Sequence, residues 1–548
     1  MKKLIALLLC MVLALGLFAG CNNNTTDTET TGSAGGDENT ITIGVPMSAN
    51  VTDWYDNEYT RWVQEQTGYT LEFVEFASST NDYKSQLSTM TAGGMELPDM
   101  LWGFDLGTAT FELYGEDGYF IDLAPYYNDK EKSKVFWDRM SELDQDYQDL
   151  MLRKVTSDDG AMYGYPSIET SVVDTMDYQL WINTTWLDAL QLEKPTNKEE
   201  LVEVLRAFKN GDPNGNGQAD EIPMIGAPTM AGGDVINWII NMYIYNDDST
   251  FFNVDENGKL YVPSMTNEYR EALKFIRDLC DEGLLNPVSF NASKQDMRTV
   301  TSPGEGDPRA GIWVGHLTIA CEAGHEGLFN YEALPLWSGS VIKENTNNVK
   351  CFITEDADNP DACWEILMCL SSEEGSIRMR YGVPGTHWDW AEEGQISHIG
   401  IPAKIVMHTD VWGVPGNDSW KSMTGTILPY AEAENCAMPE DADDWSKYKL
   451  ELVTQQRASY DYAGENYNPD KSLICPKLIL TTEEQEETSY ERTDCSNIIR
   501  RSIADFCVGS LDPENDDHWN NYLSQLRDMG IQTWLDQAQT VYERTIAE

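Results

Sequence analysis

Between residues 212 and 223 the chain reads Asp212-Pro-Asn-Gly-Asn-Gly-Gln-Ala-Asp-Glu-Ile-Pro223. Side-chain oxygens recur at Asp212, Asn214, Asn216 and Asp220, and Gln218, between the last two, can offer its backbone carbonyl. A hard cation such as calcium is held by oxygens at positions 1, 3, 5, 7 and 9 of a loop whose sixth residue is glycine, because the turn there is sharp. Gly217 stands at that sixth position. The pattern departs from an EF-hand at position 12, where Pro223 replaces the bidentate glutamate, so Glu221 is the nearby carboxylate left to close the shell. On spacing alone the stretch fits a polar Asn-Gly turn between helix and strand as well as it fits a metal loop.

The flanking sequence supplies a helix before that loop and a strand after it. A capping box from Thr196 to Glu199 opens a helix whose Leu201, Leu205 and Phe208 share one face. Thr266 opens another, with Tyr269, Leu273, Ile276 and Cys280 on one side and Gly283 past its end. Asn359-Pro360 opens a third. The segment TLEFVE, 70–75, alternates as a half-buried strand, and MELPDMLWGFD reads as a strand emptying into a loop at Trp102. Strands alternating with helices predict an α/β body with mainly parallel sheets.

The N-terminal residues address the protein. Lys2 and Lys3 precede an apolar run from Leu4 to Gly20 that ends in Ala19-Gly20-Cys21. A basic start, a short apolar core and small residues before a cysteine read as a secretory signal peptide over 1–20, with Cys21 as the lipidated first residue of the mature chain. An uncleaved membrane helix is the competing reading, at the short limit for spanning. The residues after Cys21 are Thr, Asn, Gly and acids, with Ala34 the lone aliphatic, so 21–40 reads as a flexible tether.

Roughly 500 further residues exceed what one core supports, so two or more lobes are expected. Acids outnumber bases 92 to 37, a formal charge of -55. Such a surface repels nucleic acid and anionic lipid head groups and favours a neutral ligand. Of 11 cysteines, nine remain once Cys10 and Cys21 are set aside, and none forms Cys-x-x-Cys. That excludes the common zinc and redox patterns, and an odd number of scattered thiols is no disulfide framework.

Motifs for catalysis are missing. His325-Glu326 has Phe329 where a zincin needs histidine, and Gly304-x-Gly306 lacks its third glycine. Neither a Gly-x-Ser-x-Gly elbow nor a phosphate-cradling Gly-Lys-Ser/Thr loop occurs. A glycoside hydrolase needs two carboxylates across a sugar bond, and among 92 acids nothing singles out such a pair.

Along nearly the whole mature chain, blocks such as ELPDMLW, GYFIDLAPYY, GAMYGYP, the 181–223 block, YREALKFIRDLCDEGLLNP and NPDACWEILMCLSSEEGSIRMRYGVPGTHWDW follow one another. In that order the chain resembles the extracellular solute-binding proteins, family 1, of bacterial ABC importers, in their long oligosaccharide-binding lipoprotein branch. The resemblance implies a periplasmic-binding-protein-like (type II) α/β fold, two lobes joined by crossing strands over a ligand cleft. It implies an N-terminal lobe of 41–172 with 317–350 and a C-terminal lobe of 173–316 with 351–548, crossing near Ser171–Tyr178, Gly311–His316 and Lys350–Thr354. It implies a structural calcium held by Asp212, Asn214, Asn216, Gln218, Asp220 and Glu221. A carbohydrate would fill the cleft, delivered to permease subunits in the membrane by a monomeric, lipid-anchored, non-enzymatic protein outside the cell. A secreted glycoside hydrolase and a sensing lipoprotein are the alternatives. Sugar rings pack on aromatic planes while carboxylates and amides fix their hydroxyls. Candidates on loops after strands are Asn50, Trp54, Trp102 and Asp105, and near the crossings Glu169, Tyr178, Trp313, His316 and Trp388. Trp186, Trp364 and Trp519 read as helix-face core, and Tyr163 and Tyr165 fit either role.

Overall fold

A computed structural model of the chain describes residues 39–547, apart from 144, 158–159, 170–178, 231, 304–305, 317–319, 322–325, 335–348, 398–399, 410, 412–413, 423, 429–434, 440–441, 443, 445–446, 449–450, 453, 460–473, 477 and 479. The signal peptide, Cys21 with nearly all of the tether, and Tyr178 lie outside the described residues. Among the described residues no helix is long and apolar enough to cross a membrane.

Two sheets organise the chain. The first contains β1 (Thr40–Pro46), β2 (Thr70–Phe76), β3 (Met100–Trp102), β4 (Tyr165–Pro166) and β12 (Val349–Ile353), in the order β2-β1-β3-β12-β4. β1 runs parallel to β2 and β3, and β12 runs antiparallel to β3 and β4. The second contains β6 (Leu180–Asn183), β7 (Ile222–Ile225), β10 (Ala310–Val314) and β11 (Tyr331–Leu334), in the order β11-β6-β10-β7. There β6 is antiparallel to both neighbours, and β10 is parallel to β7. Smaller pairings are β5 (Ile168–Glu169) with β15 (Ile427–Leu428), β8 (Asn253–Val254) with β9 (Leu260–Tyr261), and β13 (Trp388–Trp390), β14 (Ile405–Met407) and β16 (Cys436–Ala437) in one sheet.

Each large sheet has its own core. Ile41, Ile43, Leu101 and Phe352 pack with Trp364 and Leu367 of the helix Pro360–Ser371. In the second sheet the period of two divides the side chains between two cores. Leu180, Ile182, Ile312 and Val314 face Phe208, Leu273 and the C-terminal helices, with Phe506, Trp519 and Tyr522. Trp181, Ile225, Trp313 and Ala333 face Met297, Tyr331 and Leu452. Trp186, Trp364 and Trp519 are buried as their helix positions predict, and Tyr163 and Tyr165 join them in the interior.

The lobes divide differently from the sequence expectation. Tyr331–Leu334 pairs with Leu180–Asn183 and so belongs with the C-terminal lobe. Val349–Ile353 pairs with Met100–Trp102, and the helix Pro360–Ser371 packs beside it, so 349–371 belongs with the N-terminal lobe. Gly311–Val314 is the interior of β10 and crosses nothing, and Lys350–Ile353 lies inside β12. A short strand buried on both faces carries no local mark of the sheet it will join, since pairing is decided by partners far away in sequence. The helix after Thr196 also starts one residue later than the capping box predicts. Asn197 caps it by accepting from Glu200 N, while Thr196 N and Oγ1 both donate to Glu200 Oε2 at 2.8 Å. Thr266 and Asn359 cap as expected.

Candidate functional site

Strand direction brings several chain ends to one edge of each sheet. β1, β2, β3 and β4 all finish at the edge of the first sheet where β12 begins. In the second sheet β7, β10 and β11 finish where β6 begins, with Leu334 and Val314 both opposite Leu180. The chain passes from β5 to β6, from β11 to β12, and once more from β16 to the C-terminal helices on the second sheet; the first two passages start and end at these two edges. Carboxyl ends of parallel strands are where α/β sheets present ligand-binding loops, because the loops there are free of pairing.

On the first sheet that edge is a laced rim. The loop after β1 is tied to residues 416–419: Gly416 N donates to Asn50 O at 3.0 Å, Glu58 N to Asn417 O at 2.8 Å, and Asn57 Nδ2 to Ser419 O at 3.0 Å. Behind the rim the indoles of Trp54, Trp102 and Trp420 meet edge-on, with centroids 5.0–6.1 Å apart. Each ring N–H has an acceptor: Glu75 Oε1 for Trp54, Thr424 O for Trp102 and Thr60 Oγ1 for Trp420. Lys421, its backbone at φ 50°, is held by Asp418 and by Val411 O at 2.9 Å.

Four of the tryptophans proposed from sequence as ligand contacts are thus interior. Trp54 and Trp102 support the rim from behind; Trp388 is wholly buried with Nε1 on Gly382 O. Trp313 stacks on Trp181 at 5.6 Å inside the second lobe. An aromatic near a strand end serves a core as readily as a cleft, and composition cannot separate the two. Asn50, Asp105 and His316 do stand half-buried at the edges described, on the loops after β1 and β3 and at the end of β10. Glu169 is placed by its backbone, paired with Leu428.

Sequence reasoning passed over two residues. Trp390, one pleat beyond Trp388, is 45% exposed and meets it edge-on at 5.1 Å, an open indole on a strand. Alternation puts both on one face, so no sequence signal says which stays open. Asp234 ends the loop after β7 and caps the next helix, Oδ1 accepting from Ile236 N and Asn237 N at 3.0 Å each. Burial, with the like charge of Asp248 adding, raises its carboxyl to about 6. An Asp before an apolar run is a cap signature that could have found it.

The 212–221 loop lies at the opposite edge of the second sheet, leading into β7, where Ile222 N donates to Arg309 O. It is wound as an oxygen-lined turn. Gly217, at φ 73°, donates its N–H to Asp212 Oδ2 at 3.1 Å, a conformation that favours glycine. Asn216 N donates to Asn214 Oδ1, Gln218 N to Asn216 Oδ1, and both amide groups donate to Asp220 Oδ1 at 3.0 and 3.2 Å. The Asn216 contact holds the Asp220 carboxyl below its ordinary value. Glu221 shows the reverse: Oε1 is buried without a hydrogen-bond partner, and burial, then the charges of Asp220 and Asp212, push its carboxyl up. A divalent cation relieves such a strained carboxylate. Among the described residues no three acids, histidines or cysteines form a ready metal set, so amide and backbone oxygens would have to complete the shell.

No protein-family profile matches the chain. In sequence it is 24% identical over 503 residues to the fructooligosaccharide ABC transporter substrate-binding protein FusA of Streptococcus pneumoniae, spanning 88% of this chain and 86% of that protein. Over most of its length the chain is thus similar in sequence to an ABC-transporter substrate-binding protein. It is also 29% identical to lipoprotein LipO of Bacillus subtilis over 278 residues, 51% of this chain and 50% of that one. Among solved structures, an extracellular solute-binding protein of Bifidobacterium longum subsp. infantis superposes with a TM-score of 0.71 at 20% identity, covering 92% of this chain and 98% of that one. A FusA EF-hand mutant in complex with fructo-nystose superposes at 0.66 and 19% identity, covering 93% and 99%. The two-sheet architecture is therefore the two-lobe solute-binding fold.

Proposed function

We propose that the protein is the solute-binding subunit of a carbohydrate importer, capturing a neutral oligosaccharide between its lobes and delivering it to a permease. The supporting observation is that two passages of the chain, β5 to β6 and β11 to β12, start and end at the strand edges whose loops carry Asn50, Asp105, His316 and Asp234. Ligand held between those edges shifts the population toward a closed form. Trp390 takes the place of Trp388 as the stacking surface for a sugar ring, because its face is open. No bond in the ligand is broken. Cys21 carries a lipid anchor that holds the protein at the outer face of the membrane on the 21–40 tether. Calcium, bound by Asp212, Asn214, Asn216, Gln218, Asp220 and Glu221, fixes the entry to β7, away from the ligand edge.

Thermal unfolding of the purified protein against fructo-oligosaccharides, milk-type oligosaccharides and pectic fragments tests this reading. A ligand at a hundredfold over its dissociation constant stabilises by about 2.7 kcal/mol. The expected result is a raised midpoint with one sugar class, and that sugar recovered intact. Recovery of cleaved sugar would convert the assignment to a hydrolase, and no shift with any of the three would remove the carbohydrate assignment.

A further inference from the structure

β2 closes one side of the first sheet: among the described residues it pairs only with β1. Thr70 N donates to Asn39 O at 2.8 Å and Met47 N donates to Phe76 O at 2.9 Å, so the even-numbered residues turn their backbone groups toward β1. Backbone direction alternates along a strand, which leaves Leu71, Phe73 and Glu75 with theirs turned outward, a template for another strand. Side chains meet these outward groups. Gln64 Oε1, from the helix Glu58–Thr67, accepts from Leu71 N at 2.9 Å. Phe73 N donates to the Tyr55 hydroxyl at 3.1 Å, and that hydroxyl donates to Phe73 O at 3.4 Å. Just past the strand, Gln86 Oε1 accepts from Ala77 N at 2.8 Å. Tyr55 is 59% exposed, so no core requires it there. Asp53 Oδ1 presents it, accepting from Tyr55 N at 2.8 Å and Asp56 N at 2.9 Å, and its ring meets the Phe73 ring edge-on at 5.6 Å.

We propose that Tyr55 guards this edge against a second copy of the chain, its hydroxyl holding the two backbone groups through which the copies would begin to pair. Phe73 is the middle residue of β2, Thr70–Phe76. Two copies related by a twofold axis would pair β2 antiparallel about that residue, and the two residues on the axis would exchange both N–H···O bonds. The Tyr55 hydroxyl makes both of those bonds itself. The strand's own side chains do not forbid the pairing. Leu71 would stand opposite Glu75 and Glu72 opposite Val74, so no carboxylate directly faces another, and neither lysine nor proline interrupts the edge. Val74, 40% exposed, offers apolar surface on the flank. Gln64 occupies Leu71 N, farther from the axis, so the bonds at Phe73 are the first that an incoming strand has to displace.

The test compares the purified wild type with Tyr55→Ala, which opens the edge, and with Tyr55→Ala/Val74→Glu, which sets Val74→Glu of one copy against Glu72 of the other. Sedimentation equilibrium is measured over a range of protein concentrations in high salt, because the formal charge of -55 opposes any self-association that salt does not screen. Hydrogen exchange of the same samples, read by mass spectrometry, reports which amides the association covers. Wild type should stay monomeric, and Tyr55→Ala should self-associate at least about tenfold more tightly, since two hydroxyls no longer have to be displaced. Its peptides over 70–76 should gain protection as concentration rises, and the double variant should return to monomer. Equal mass for wild type and Tyr55→Ala at every concentration would overturn the guard. So would a wild type that already pairs through 70–76, or an association of Tyr55→Ala that protects other segments and survives Val74→Glu.

Discussion

The two ends of the second sheet are built on opposite plans. Where β7 begins, one unbroken stretch from Asp212 to Glu221 turns its oxygens inward, and its hydrogen bonds stay within ten residues. Where β7 and β10 finish, the polar groups come from separate segments: Gln179, Asp234 and His316, with Leu334 O from a fourth strand. A cation site can be local because a small ion needs only a loop that curls around it. A cleft for an extended ligand has to be assembled from strand ends far apart in sequence.

The largest effect should come from a residue that the sequence assigned to the cleft. Trp313→Ala removes a wholly buried indole stacked on Trp181 and packed against Tyr331. Large-to-small changes of this kind cost about 3–5 kcal/mol. Calorimetry should show the melting temperature of the second lobe falling by roughly 10 °C, at about 2–4 °C per kcal/mol, while the folded fraction keeps its sugar affinity. A variant of normal stability and weakened binding would return Trp313 to the cleft and blur the contrast between interior and edge.

Calcium should act next, and at one end only. At a hundredfold excess over its dissociation constant it should stabilise by about 2.7 kcal/mol, and Asp220→Asn should abolish most of that gain. Chelation followed by isothermal titration with sugar tells the ends apart. Stability should fall while affinity stays nearly constant, and equal loss of both would mean that the ends are coupled.

This difference in plan also explains what could be read in advance. The oxygen spacing at 212–221, the glycine at 217 and the caps at Thr266 and Asn359 each depend on fewer than a dozen consecutive residues, so they were visible. The strand partners of Tyr331–Leu334 and Val349–Ile353 depend on residues far away in the chain, and the sequence misplaced both. Of the cleft candidates, the polar residues Asn50, Asp105 and His316 stand half-buried just after β1, β3 and β10, because the end of a strand is itself a local signal. The aromatics fared worse, because a tryptophan at 388 and one at 390 look alike until the packing of the small sheet buries the first.

Trp390→Ala sharpens that last distinction. Loss of an open stacking face should weaken sugar binding about tenfold, close to 1.4 kcal/mol, with the melting temperature unchanged. Titration of both Trp390→Ala and a Trp388 variant should separate them: lost affinity in the first, lost stability in the second. Identical affinity in wild type and Trp390→Ala would remove Trp390 as a stacking surface.

Asp234 gives the smallest effect and the most specific one, because its size changes with pH. Burial raises its carboxyl to about 6 in the folded protein, above the unfolded value of 3.8. The folded state therefore favours the protonated acid. Above pH 6 the charge must be held where it is poorly hydrated, and that cost is relieved as pH falls from about 6 toward 4. Asparagine caps a helix as well as aspartate does and carries no charge. Asp234→Asn should thus be the more stable protein at pH 7, by about 1 kcal/mol once the side chain's partial exposure is allowed for, and the gap should close near pH 4. Denaturant midpoints of the two proteins at pH 4, 5.5 and 7 measure it. A constant gap would mean that the effect comes from the cap and not from the charge. If sugar bound at the same edge supplies a donor to Asp234, the gap at pH 7 should shrink on ligand addition, which ties this carboxylate to the assembled end of the sheet and not to the self-contained one.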